Sequence, residues 1–119
     1  MEPEEVWQEV GKMVITYPLM ECDRCAIAVM AWLAQQGIVG KILRLQTKRP
    51  SEIFIISRRY TMNESITENG THYGVEVLGL VFDNLSEYGL PRSQWIADFM
   101  CPSGQFLIDE LEYLGDENG

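Results

Sequence analysis

Three cysteines and a single histidine are the residues in this sequence of 119 whose chemistry goes beyond that of ordinary surface and core positions. A cysteine attacks as its thiolate, a form favoured by a helix N-terminus and by a neighbouring imidazolium. Cys25 falls in the first turn of an apolar helical segment, and Cys22 stands at or just ahead of its cap. His72 is the one side chain whose ordinary ionisation lies near neutral pH. The sequence therefore offers Cys25 as nucleophile and His72 as its base, with Cys22 as the alternative nucleophile.

A third group follows from strand parity. If Leu78-Gly79 is a two-residue turn, Val77 opposes Leu80 and the facing residues continue outward in step. Side chains alternate along both strands, so His72, Gly74 and Glu76 share a face with Val81 and Asp83. Tyr73, Val75, Val77, Leu80 and Phe82 occupy the other face as core. Asp83 is then a diagonal neighbour of His72, within reach of its ring. A carboxylate on Nδ1 would fix the tautomer that turns Nε2 toward the thiol. A one-residue bulge in the hairpin would bring Asn84 there instead.

The elements that position these groups read as helices first and strands afterwards. Pro3 starts a helix carrying Val6, Trp7, Val10, Met13 and Val14 at helical spacing, and Tyr17-Pro18 ends it. A second helix runs from about Asp23 to Gln36 with Gly37 as terminator. Residues 40–47 and 53–56 read as strands, 57–71 as a long polar surface loop, and 73–77 with 80–84 as the hairpin. Residues 91–99 form a short helix and 105–108 a last strand. The implied class is α+β, a single domain over 1–119, with N-terminal helices packed on an antiparallel sheet and an acidic tail over 109–119.

Nine basic against eighteen acidic residues give a net charge of −9, which argues against a nucleic-acid footprint, although Lys41, Arg44, Lys48, Arg49, Arg58 and Arg59 gather in one stretch. No apolar run approaches the roughly 20 residues of a membrane span. The start, Met1-Glu2-Pro3-Glu4-Glu5, is acidic where a signal peptide would be basic, and three cysteines fit a reducing compartment. These features point to the cytoplasm. Two other uses of the thiols compete with catalysis. Cys22, Cys25, His72 and Cys101 could form a Cys3His zinc site, but Cys101 stands alone before Pro102. A redox CxxC normally follows a strand, and here a helix precedes it. No metal or cofactor is expected. A binding module without chemistry is the remaining alternative.

Taken together, Cys22-Asp23-Arg24-Cys25-Ala26, Gln36-Gly37-Ile38-Val39-Gly40-Lys41, Asn69-Gly70-Thr71-His72-Tyr73-Gly74-Val75, Val81-Phe82-Asp83-Asn84, Gly89-Leu90-Pro91 and Trp95 resemble the papain-fold toxin domains of bacterial polymorphic toxin systems, nearest to papain fold toxin 2. The resemblance covers about 18–110. It implies a compact papain-like fold and a cysteine peptidase, amide deamidase or acyl transferase, with nucleophile, base and orienting acid at Cys25, His72 and Asp83. It further implies a protein or peptide substrate, an immunity-type protein partner, and a secreted effector acting in a target cytoplasm. Papain places an oxyanion-hole glutamine six residues before its nucleophile, and six before Cys25 this sequence has Leu19. The oxyanion would then rest on the Cys25 backbone N–H and another donor.

Overall fold

The structure is a computed structural model and describes residues 1–114. Helix α1 (Pro3–Val14) begins with proline in its first turn, and the Glu2 N–H donates to Glu5 Oε1 at 3.1 Å. Val6, Val10 and Val14, each one turn apart, form its buried stripe. Helix α2 (Cys22–Gln35) buries Cys22, Cys25, Ala26, Val29 and Leu33. It stops where Gly37 takes a φ of +70°, with the Ile38 N–H closing onto the Leu33 carbonyl at 2.9 Å.

Five strands form an antiparallel sheet in the order β5-β4-β3-β1-β7: β1 (Gly40–Thr47), β3 (Thr71–Val77), β4 (Leu80–Asp83), β5 (Ser86–Leu90) and β7 (Phe106–Leu111). Two short strands, β2 (Ile56–Ser57) and β6 (Phe99–Met100), pair separately, and α3 (Arg92–Ala97) precedes β6. The hairpin has the expected register, Val77 opposite Leu80 and Val75 opposite Phe82. Leu78 and Gly79 both take positive φ, +50° and +89°, as a type I′ turn requires.

Both faces of the sheet are covered. One carries Ile42, Val75, Val77 and Phe82 against the apolar stripes of α1 and α2. The other carries Leu43, Leu45 and Val81 against Ile55, Ile66, Trp95 and Phe99. This double burial explains why Ile42 and Leu43 interrupt the alternation of β1: adjacent residues there each have a core to enter.

Three expectations change. Residues 57–71 are no plain surface loop, because Ile66 is buried and its N–H donates to the Ile55 carbonyl at 2.9 Å, folding the segment over the second face. The strand expected at 53–56 pairs only from Ile56, since Ile53 and Phe54 point outward. The start of the expected acidic tail is strand: Asp109 accepts from Arg44 at 2.9 Å, and Glu110 pairs with Lys41 and Arg92. The rest of that tail lies outside the described residues. Strand β5 had no sequence reading of its own.

Candidate active site

His72 is the second residue of β3, opposite Leu45 of β1, and its side chain enters the second core. The ring is 1% exposed, stacked at 6.1 Å on Trp95 and tilted against Phe99 at 5.2 Å. Aromatic walls on two sides hold one ring orientation. Asp83 ends β4 on the same face, and His72 Nε2 lies 3.0 Å from its Oδ2. Parity thus joins the two residues as the hairpin predicts. The ring is reversed relative to expectation: Nε2, not Nδ1, faces the carboxylate, because the ring reaches diagonally along the sheet to Asp83.

A bulge does occur, but between β4 and β5 at Val81–Asp83, so the β3–β4 register survives and Asp83 keeps its place. Asn84 is turned away from the imidazole. Its Nδ2 donates to the Pro18 carbonyl at 2.8 Å, tying the end of β4 to the segment that leads into α2.

Asp83 is saturated with donors that sequence reading did not find. Trp95 Nε1 donates to Oδ2 at 2.8 Å, and Arg59 places two N–H groups on the carboxylate at 2.7 and 3.1 Å. The Leu85 N–H adds another at 3.2 Å. Arg59 is held in turn by Asp98, through Nε at 2.9 Å and its backbone N–H at 3.0 Å, and Ser57 also donates to Asp98. A bidentate guanidinium is the strongest partner a buried carboxylate can have. Burial alone would raise the Asp83 pKa, but His72 and Arg59 together hold it well below the usual carboxylate range. Arg59 falls in the stretch that the sequence reading takes for a polar surface loop, where nothing named it as a partner of Asp83.

The two cysteines are separated by one helical turn and by environment. Cys25 is 2% exposed among Ala26, Val29 and the strand residues of the first core. Burial, with Asp83 and Cys22 adding negative potential, pushes its thiol up to about 12. Its backbone N–H donates to the Glu21 carbonyl at 3.0 Å, so it is committed to the helix and not free for an oxyanion. Cys22 is the first residue of α2, where N–H groups have no intrahelical acceptor. It is 8% exposed and lines a cleft of about 480 Å³ between the start of α2, residues 66–69 and the start of β3.

Cys22 is also the thiol that His72 senses. The imidazole pKa is raised to about 9: burial would lower it, and the Asp83 hydrogen bond with the neighbouring Cys22 outweighs that effect. Nδ1 makes no well-aligned hydrogen bond. It is the ring nitrogen left over for the Cys22 sulfur, near enough for electrostatic coupling though not yet aligned. Just ahead, Met20 takes a φ of +77°, a left-handed conformation that costs an ordinary residue roughly 1–2 kcal/mol, in the turn that presents Cys22. Six residues before Cys22 stands Thr16, whose hydroxyl is engaged with the Met13 carbonyl at 2.7 Å.

Cys101 lies apart, its sulfur 3.5 Å from the Gln105 carbonyl and 3.7 Å from Ser103 Oγ. Among the described residues no group of three or more His, Cys, Asp or Glu side chains is placed to hold a metal ion, so the Cys3His set is not assembled.

A helix N-terminus carrying a thiol, set against a buried His–Asp pair on an antiparallel sheet, is the arrangement of papain-like enzymes, and the family model described as papain fold toxin 2 matches residues 5–100. The chain belongs to that family. No curated protein and no solved structure matches the chain. Among the described residues of this papain fold toxin 2 chain, no helix is long and apolar enough to cross a membrane.

Proposed function

We propose that this chain is a cysteine-dependent acyl-transfer enzyme, an amide hydrolase or deamidase, with Cys22 as nucleophile, His72 as acid–base and Asp83 as the group that orients His72. The observation that carries the reading is the position of His72. One ring nitrogen is on a fully ligated carboxylate, and the other is unpartnered beside the thiol that lines the cleft.

Cys22 attacks as its thiolate, with its proton passing to the His72 imidazole. The sulfur attacks the amide carbon while negative charge builds on the carbonyl oxygen, toward the first-turn N–H of Cys22. Nδ1–H then donates its proton to the departing nitrogen, leaving a thioester and neutral imidazole. Water entering the cleft gives its proton to Nδ1, attacks the thioester and restores the thiolate. Peptide cleavage and deamidation differ only in whether the departing nitrogen is a main-chain amine or ammonia. The acyl transferase route differs in the entering nucleophile. Cys25, desolvated and raised to about 12, is ill suited to any of these steps.

Family membership supports a protein or peptide substrate in a target cell, delivery as an effector, and a cognate immunity-type protein that blocks the cleft. The test is a thiol-directed acyl electrophile followed by mass mapping. Covalent capture at Cys22 that is lost in His72→Ala and retained in Cys25→Ala supports the assignment. Capture at Cys25, or capture indifferent to His72, overturns it.

A further inference from the structure

Among the described residues, the wall of the Cys22 cleft carries two carboxylates and no cation. Asp23 follows Cys22 on α2, and Glu68 projects from the segment across the cleft. Both are exposed, and neither meets a basic group among the described residues. The nearest basic residue in sequence, Arg24, leans back to Glu21 at 3.4 Å and is largely in solvent. Met20, Ile27 and Leu114 add apolar patches to a lining that also holds the neutral polar side chains of Thr67, Asn69 and Thr71.

Two unpaired carboxylates lining the cleft of a cysteine nucleophile are a burden on the chemistry. Each raises the energy of the attacking thiolate and of the oxyanion that follows, because like charges repel, an effect strongest at low salt for such exposed groups. Asp23 has a local benefit at the helix N-terminus, but Glu68 on the opposite wall has none. A substrate that brings a cation offsets both repulsions on binding, and more so as negative charge builds in the transition state. Its methylene stem would lie along the apolar patches while its charged head sits between the carboxylates.

We propose that the cleft selects substrates with a lysine or arginine side chain next to the reacting amide, read by Asp23 and Glu68. The inference rests on Cys22 being the nucleophile, and the two are separable by experiment. The probes are a cationic and an anionic methanethiosulfonate reagent, mapped at Cys22, and p-nitrophenyl esters of N-acetyl-lysine and N-acetyl-norleucine. The cationic reagent should modify Cys22 about tenfold faster than the anionic one at low salt, and the ratio should collapse toward one in Asp23→Asn/Glu68→Gln. The lysine ester should exceed the norleucine ester in kcat/KM by a similar factor in the wild type, and the double variant should lose that advantage, with the norleucine rate rising because the repulsion on the oxyanion is gone. Equal reagent rates in the wild type, or a ratio the double variant leaves unchanged, overturns the inference even if Cys22 turns over norleucine ester normally. Ester turnover that persists in Cys22→Ser overturns the catalytic assignment instead, and the reagent ratio still reads the charge of the cleft.

Discussion

One turn of helix separates a thiol that lines the cleft from one sealed in the first core. Sequence reasoning reached the helix N-terminus, the histidine and the aspartate from spacing and parity. It placed Cys25 ahead of Cys22 as nucleophile from its seat in the first turn, and could not see the burial of Cys25, because burial at a helix start depends on how the helix sits over the sheet. Limiting alkylation of the folded protein should therefore modify Cys22 first and leave Cys25 protected until unfolding, as mass mapping will read; early labelling of Cys25 contradicts the structure. Cys25→Ser should cost about 1–3 kcal/mol in urea unfolding, since it buries a hydroxyl in an apolar site. Protonation of His72 carries a linked effect on stability. Its value in the fold, about 9, exceeds the ordinary 6.5, so the stabilisation is complete below about pH 6.5 and is lost as pH rises through about 9. Asp83 is depressed, so its contribution holds above about pH 4 and is lost on acidification. Denaturant midpoints measured from pH 6 to 10 should fall, and Asp83→Asn should flatten that fall by removing the charge that holds the proton on His72.

Among the elements, the hairpin was the most legible, because two strands joined by two residues leave one register and fix every face. The same logic could not see α3, β6 and residues 57–71 as a cover, since their burial is made by Trp95, Phe99 and Ile66 meeting residues far away in sequence. Gly74 is where the hairpin and its cover are closest. A Cβ there would stand 2.8 Å from the Trp95 ring and 2.9 Å from Val81 Cγ1. Gly74→Ala should cost about 1–3 kcal/mol and weaken Cys22 reactivity by moving Trp95 off Asp83. Unchanged stability with full reactivity would mean that Trp95 does not hold the carboxylate. At the turn the reverse is expected. Leu78, exposed and held at φ +50°, is a poor residue for a type I′ turn, and Leu78→Asn should raise the stability by roughly 0.5–1 kcal/mol without touching the site. Thermal melts will report both changes.

For the whole molecule, the α+β class followed from the order of elements, while the sheet's second buried face did not. That face is closed by an internal ion network, Asp98–Arg59–Asp83–His72, in which a single guanidinium serves two buried carboxylates. Arg59→Met should cost on the order of 3–5 kcal/mol, because Asp98 is left without a charge partner and Asp83 keeps only His72. Chemical denaturation measures it, and a loss below about 1 kcal/mol would show that the network is not what anchors residues 57–59 to the sheet. The network also gives the molecule a calendar. In a chain growing from its N-terminus, Cys22 and His72 emerge early, but Trp95 and Asp98, which complete the cradle of Asp83, arrive many residues later. A nascent chain that already displays the thiol and the imidazole still lacks the fixed carboxylate that orders them. Synthesis thus completes the cradle of Asp83 only after the thiol and the imidazole have been made.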